Sequence, residues 1–178
     1  CKLCINPQTW QGRSDGKPPF ERVTPTELYD RVKIDNLYYL ATGGGVTFGG
    51  GEPLLHTDFI TAFRALVPKE WRIYAESCLN IPEENLRAAA RVVDHFFIDI
   101  KDMNPAIYKA YTGRDNTLVK ANLALLLSLV GVQRITVRVP SIPDFNTEAD
   151  TEASVRELQA IGVTSLDRFA YKISTRKV

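Results

Sequence analysis

An excess of charge of one sign is missing from this chain: 22 basic and 21 acidic residues are scattered along 178 positions and leave a net charge of +1. That balance offers no electrostatic footprint for nucleic acid or for an acidic membrane surface. Long hydrophobic runs are missing too. The longest, roughly Ala121 to Val132, is too short to span a bilayer and reads as part of a helix. Cysteine is scarce: three residues, an odd number without the spacing of a disulfide framework, favour a reducing compartment and metal or reactive-thiol chemistry. A cytoplasmic location is therefore expected. There is no signal-peptide pattern, repeat or low-complexity segment, and a chain that opens on Cys1 is expected to have lost its natural start. With 44% hydrophobic residues over this length, one globular domain spanning 1–178 is expected to bury a core.

Glycine, by contrast, is concentrated. Six of the eleven glycines fall within nine residues, in Gly43-Gly44-Gly45-Val46-Thr47-Phe48-Gly49-Gly50-Gly51, followed by Glu52-Pro53. Such a stretch clears side chains from the backbone, so that its N–H and C=O groups can approach a ligand closely. The opening Cys1-Lys2-Leu3-Cys4 has the C-x2-C spacing that presents two thiolates to one iron or zinc centre. Together the two features point to a cofactor site.

Elsewhere strands and helices alternate. Thr24-Pro25-Thr26-Glu27 is a capping box with proline at the first helical position, which predicts a helix to about Tyr38. Strands are predicted at Val46–Phe48, Trp71–Ala75, Phe96–Ile100, Arg134–Val139 and about Asp167–Ile173. Helices are predicted at about Asp58–Val67, after Pro82, after Asn104-Pro105, over Leu118–Leu129 and over about Thr151–Ile161. Strands separated by helices of this length make a parallel sheet with right-handed crossovers. The polar and glycine-rich residues gather just after the strands, at Gly49–Pro53, Glu76–Cys78, Asp99–Lys101, Pro140–Asn146 and Tyr171-Lys172. The carboxyl ends of parallel strands form the ligand face of such folds, so one site can draw on all five loops.

These residues carry a resemblance. Cys1–Pro7 looks like the last two cysteines of a C-x3-C-x2-C motif with its following Asn-Pro, and Gly43–Leu55 resembles the glycine-rich strand and Gly-Gly-Glu-Pro loop of radical S-adenosylmethionine (SAM) enzymes. Phe97–Met103, Tyr111–Asn116 and Val137–Asn146 narrow the likeness to the glycyl-radical-enzyme activating enzymes, the group that includes pyruvate formate-lyase activating enzyme. The match runs over nearly the whole chain, in order.

The resemblance implies a partial (β/α) TIM-type barrel of the radical SAM type, parallel strands with helices outside, in which about five strands are present. It implies a [4Fe–4S] cluster held by three thiolates, with SAM on the open iron. Reductive cleavage of SAM then gives a 5′-deoxyadenosyl radical that takes hydrogen from a glycine of a glycyl-radical enzyme such as pyruvate formate-lyase, with flavodoxin or ferredoxin as electron donor. Carried over residue by residue, Cys1 and Cys4 would be iron ligands, Gly50 and Gly51 would offer backbone to the SAM amino group, and Glu52 and Pro53 would fix the loop. Lys101 would pair with the SAM carboxylate, Asp99 and Ser77 match positions that help hold a monovalent cation, and Arg138 would contact the cofactor or brace the loop.

Some positions depart from the family pattern. The first motif cysteine, and the strand that carries it, would lie upstream of Cys1, and Lys172 stands where many members have histidine; Glu76, where aspartate or glutamate is usual, is compatible with a cation site. Plainer roles are expected for other residues: Cys78 as a small buried apolar group, His56 at a helix start, His95 as structural, Tyr38 and Tyr39 in packing, Glu152 and Glu157 on a solvated face. Three further readings compete: another radical SAM reaction on a peptide or small molecule, a non-catalytic scaffold, and a nucleotide-binding module using Gly43–Gly51 as an anion cradle. Against the last, the chain has no G-x-x-x-x-G-K-[ST], and Glu52-Pro53 is a poor start for a phosphate-binding helix.

Overall fold

A computed structural model describes residues 1–4, 6–7 and 20–171. Helix α1 (Pro25–Val32) begins as the capping box dictates: the Thr24 hydroxyl accepts the Glu27 N–H at 3.2 Å, and the Glu27 carboxylate accepts the Thr24 N–H at 2.7 Å. The helix predicted to run on to Tyr38 is instead broken. A 3-10 turn at Lys33–Asp35 separates α1 from α2 (Asn36–Thr42), because Asn36 is held from outside: its side-chain oxygen accepts the indole N–H of buried Trp71 at 2.8 Å.

Five strands and five helices follow. They are β1 (Gly45–Phe48), α3 (Thr57–Leu66), β2 (Arg72–Ser77), α4 (Glu83–Val92), β3 (His95–Asp99), α5 (Pro105–Thr112), α6 (Thr117–Val130), β4 (Ile135–Ser141), α7 (Glu148–Ala160) and β5 (Leu166–Ala170). Helix α7 starts before the predicted Thr151, at a second capping box made by Thr147 and Asp150. Strand β5 ends at Ala170, and the predicted continuation through Lys172 and Ile173 lies outside the described residues.

All strands are parallel and lie in the order β1-β2-β3-β4-β5, each beside its sequence neighbour. Right-handed crossovers in unbroken order put the helices on one side of the sheet, the winding of a barrel arc, whereas a doubly wound sheet reverses its order midway. Contacts between α1 and α3, α3 and α4, and α4 and α6 make that single helical layer. Alternation then sorts the strand residues. Ile73, Ala75, Phe96, Ile98, Ile135, Val137 and Val139 are buried under the helices. Tyr74, Glu76, His95, Phe97, Thr136 and Arg138 occupy the opposite, half-buried face.

Gly45 is fixed by close approach: a Cβ there would lie 1.9 Å from the Arg72 carbonyl oxygen. Among the described residues no helix is long and apolar enough to cross a membrane.

Candidate functional site

The loop after β1 is shaped by its own residues. Gly50 has φ +102, which only glycine adopts without strain, and open space surrounds the positions where side chains would stand at Gly50 and Gly51. Pro53 opens a 3-10 turn whose N-cap is Glu52. One Glu52 carboxylate oxygen accepts the Leu54 N–H at 3.2 Å. The other accepts the N–H of Cys78 at 2.9 Å and its thiol at 3.2 Å. Cys78 is thus no inert apolar filler, as composition had suggested: it is a half-buried thiol tied to the glycine loop. Burial, and then the Glu52 charge, push its pKa up to about 12.

Beyond β2 and β3 the charged residues pair. Asp99 and Arg138 face each other in register across β3 and β4, and Arg138 reaches Glu76 at 2.8 Å while stacking on the Phe97 ring, 4.9 Å from its centroid. Lys101 is only 8% exposed; it donates to Asp99 at 3.2 Å and to the Tyr171 hydroxyl at 2.8 Å. Burial lowers its pKa, but Asp99 and Tyr171 outweigh that and leave it raised, so the ammonium is charged at neutral pH. The second oxygen of Asp99, Oδ1, is buried and has no hydrogen-bond partner among the described residues. Ser77 falls on the helix-facing side of β2, opposite Glu76, and its hydroxyl accepts the Leu79 N–H at 2.9 Å, so it shapes the turn.

Cys1 and Cys4 border an open cleft of about 280 Å³ that Lys2, Pro7, Tyr111, Thr112 and Gly113 complete. Hydrogen bonds dock their loop: the Lys2 N–H donates to the Tyr111 carbonyl at 3.1 Å, the Tyr111 hydroxyl reaches the Leu3 carbonyl at 3.5 Å, and the Asn6 side chain donates to the Gly50 carbonyl at 3.3 Å. Asn6 therefore joins the cysteine loop to the glycine loop. Among the described residues no three His, Cys, Asp or Glu side chains cluster closely enough to hold a metal ion.

The structure thus gathers Gly50, Gly51, Glu52, Pro53, Asp99, Lys101 and Arg138 at the carboxyl end of the sheet and brings the Cys1–Cys4 loop against them. Lys172 lies outside the described residues. Sequence reading placed Cys78 and Tyr171 on this face as strand-end residues, and Asn6 and Tyr111 within motif segments, but assigned none of the four a contact there: Asn6 to Gly50, Cys78 to Glu52, Tyr111 to the cysteine loop and Tyr171 to Lys101.

The chain is 32% identical over 133 residues to the (2S)-3-sulfopropanediol sulfolyase activating enzyme of Bilophila wadsworthia, an alignment covering 74% of this chain and 44% of that protein. It is 34% identical over 125 residues to the isethionate sulfite-lyase activating enzyme of Desulfovibrio desulfuricans, covering 70% and 40%. It is 32% identical over 131 residues to the indoleacetate decarboxylase activating enzyme of Tractidigestivibacter scatoligenes, covering 73% and 41%. The chain therefore spans less than half the length of each of these three relatives.

Among solved structures, a domain of pyruvate-formate lyase-activating enzyme from Bacteroides vulgatus matches with a TM-score of 0.50 at 17% identity, over 72% of this chain and 99% of that one. The enzyme anSMEcpe, solved with bound AdoMet and a peptide, matches at 0.53 and 15% identity, over 76% and 41%. Both likenesses are of fold. The family model of the radical SAM superfamily matches residues 1–158, and with a five-strand arc of the barrel this sheet order expects, the chain belongs to that superfamily, whose cofactors are SAM and a [4Fe–4S] cluster.

Proposed function

We propose that this chain is the SAM-binding part of a glycyl-radical-enzyme activating enzyme, acting on a glycine of a partner protein such as pyruvate formate-lyase or another glycyl-radical enzyme. The observation that carries the reading is the meeting of three segments, Cys1–Cys4, Gly49–Pro53 and Asp99–Lys101, at one end of the sheet: the Asn6–Gly50 contact joins the first two, and the third stands at the end of β3. The relatives support it, since each carries the name of an activating enzyme, two for lyases and one for a decarboxylase.

The residues can be tested against the cofactors. Thiolates are the natural ligands of iron in clusters, and Cys1 and Cys4 offer two of them on an open cleft. Cys78, protonated against Glu52, does not supply a third. For SAM, the uncovered backbone at Gly50 and Gly51 fits an amino group, and the buried Lys101 ammonium fits a carboxylate. The unpartnered Asp99 Oδ1 supports a monovalent cation beside it. Arg138, locked on Glu76 and Phe97, braces this end of the sheet. When bound, the cluster and SAM supply one-electron cleavage and hydrogen-atom abstraction, the electron coming from a flavodoxin or ferredoxin. The chain's own work is to seat the cysteine loop, hold the glycine backbone open and aim one positive charge. The segment Ser141–Asn146 runs along the same face, where a peptide loop would enter.

The test uses the full-length gene product, reconstituted anaerobically with iron and sulfide, reduced, and mixed with SAM and a glycyl-radical enzyme from the same gene neighbourhood. A glycine-centred doublet in the paramagnetic resonance spectrum is expected, with about one 5′-deoxyadenosine per radical, as one hydrogen abstraction per SAM requires. If 5′-deoxyadenosine forms with a small molecule and never with a glycyl-radical enzyme, the activase reading fails while membership of the superfamily stands.

A further inference from the structure

Two tyrosines join Lys101 to the cysteine loop. The Lys101 ammonium donates to the Tyr171 hydroxyl at 2.8 Å, closer than its 3.2 Å contact with Asp99. Tyr171 is itself anchored: its N–H donates to the Ser141 carbonyl at 3.0 Å, extending the pairing of β4 with β5. Its ring packs against that of Tyr111, with the centroids 6.3 Å apart and the planes tilted by 59°. Tyr111 is 1% exposed and meets the cysteine loop at two backbone groups. Its carbonyl accepts the Lys2 N–H at 3.1 Å, and its hydroxyl faces the Leu3 carbonyl at 3.5 Å.

An ammonium has three N–H donors on a flexible four-carbon stem. Asp99 and Tyr171 take two, so the third points in a fixed direction before any ligand arrives. Ordering a long side chain in advance removes a cost that binding would otherwise bear. A buried phenol hydroxyl, for its part, needs a polar neighbour, which the Leu3 carbonyl supplies to Tyr111 while its ring packs on that of Tyr171.

From this geometry we infer that Tyr111 and Tyr171 are positioning residues, which fix the direction of the Lys101 ammonium and couple it to the seating of the Cys1–Cys4 loop. Such coupling is reciprocal: what seats the loop sharpens Lys101, and what engages Lys101 steadies the loop. The inference rests on the reading of Lys101 as the partner of the SAM carboxylate.

The experiment uses full-length protein with Tyr111→Phe, Tyr171→Phe and both, since phenylalanine keeps the packed rings and removes the hydroxyls. In protein selectively labelled with 15N-lysine, the Lys101 Nζ resonance, assigned with Lys101→Arg, is expected to lose its exchange protection in Tyr171→Phe. It is also expected to shift in Tyr111→Phe, which leaves both direct partners of Lys101 in place. By calorimetry on the reconstituted protein, each variant should bind SAM roughly twofold to tenfold more weakly, the loss of one ordinary hydrogen bond. The double variant should bind no more weakly than the worse single one, because both act through the same relay. A Lys101 resonance unmoved by Tyr111→Phe overturns the coupling, and SAM binding by Tyr171→Phe as tight as or tighter than wild type overturns the positioning role. If wild-type protein shows the Lys101 signal and its response to Tyr111→Phe yet binds no SAM, the reading of Lys101 as a carboxylate partner fails while the coupling stands.

Discussion

Glu52 and Cys78 are joined twice through one oxygen, which accepts the Cys78 N–H at 2.9 Å and the Cys78 thiol at 3.2 Å. Because the other oxygen caps Leu54, one side chain latches the glycine loop onto the end of β2. Burial, and then the charge of the latching carboxylate, keep the thiol protonated. With its pKa near 12, Cys78 is a thiolate at pH 8 only in about one molecule in ten thousand, and thiolate is the reactive form. Iodoacetamide mapping of the cluster-free chain should therefore label exposed Cys1 within minutes and leave Cys78 untouched. Glu52→Ala should open Cys78 to labelling and lower stability in urea by about 1–3 kcal/mol, the scale of leaving a half-buried loop without its charged acceptor. Labelling of Cys78 as fast as Cys1 would show that the latch does not exist in solution.

The same contrast among cysteines predicts iron content. In reconstituted full-length protein, Cys4→Ser should lose the brown colour and most of its iron, because serine is a poor ligand for a cluster. Cys78→Ser should keep both, since its thiol is turned to Glu52. Iron and sulfide analysis separates these outcomes, and a protein that takes up a single zinc instead would remove the cluster from this site.

Local signals carried much of the fold. The Thr24–Glu27 box, the prolines that open α1 and α5, and the glycines after β1 each act within a few residues, and each stands where the sequence predicted it. Contacts over long separations were not legible. The break at Lys33–Asp35 depends on Trp71 reaching Asn36 from 35 residues away. The start of α7 was missed for a milder reason: its capping box carries aspartate at the fourth position, a weaker pattern than glutamate. Asn122 was hidden in a leucine-rich run, yet its amide donates to the carbonyls of Leu79 and Ile81 and fixes the turn behind the site. A lone buried amide in an apolar helix was the available signal. At the site, the family resemblance picked out Lys101 and Glu52, and strand-end position put Tyr171 and Cys78 on the same face, but the pairing of Lys101 with Tyr171 and of Glu52 with Cys78 came only with the folded structure. Tyr38, expected in packing, is 67% exposed, whereas Tyr39 packs edge-on against Trp71. Glu152 and Glu157 do lie on an open face, paired there with Arg168 and Lys120.

Mild acid should weaken the fold through His95. This residue lies on the half-buried face, where its Nε2 meets the Thr136 hydroxyl at 2.9 Å. Burial first, and then Arg134, lower its pKa. A histidine whose folded pKa is depressed takes up its proton more readily when unfolded. Stability is then complete above the ordinary histidine range, about 6.5, and falls as pH drops below it toward the lower folded value. Urea titrations at pH 7.5, 6.5 and 5.5 should show this loss, and His95→Gln should flatten it. An unchanged slope in that variant would assign the effect to other groups.

Lys101 offers the most direct test of the ligand face, provided binding is separated from stability. Its ammonium is the partner of Asp99 Oδ2, and Asp99 Oδ1 is already buried with no hydrogen-bond partner among the described residues. Lys101→Met therefore leaves a poorly solvated carboxylate without its counter-charge. Fully buried pairs broken in this way lose several kcal/mol; the Asp99 side chain is 27% exposed, so about 1–3 kcal/mol is expected. A second change, Asp99→Asn in the Lys101→Met background, removes the stranded charge and should restore most of that stability. It cannot restore the positive charge. SAM affinity should thus fall by roughly 1.5–3 kcal/mol, about tenfold to more than a hundredfold, in both the single and the double variant. Because Lys101 stays charged through neutral pH, the deficit should be the same at pH 6.5 and pH 8. If calorimetry shows affinity recovering along with stability in the double variant, Lys101 serves the fold through Asp99 and the ligand carboxylate is held by another group.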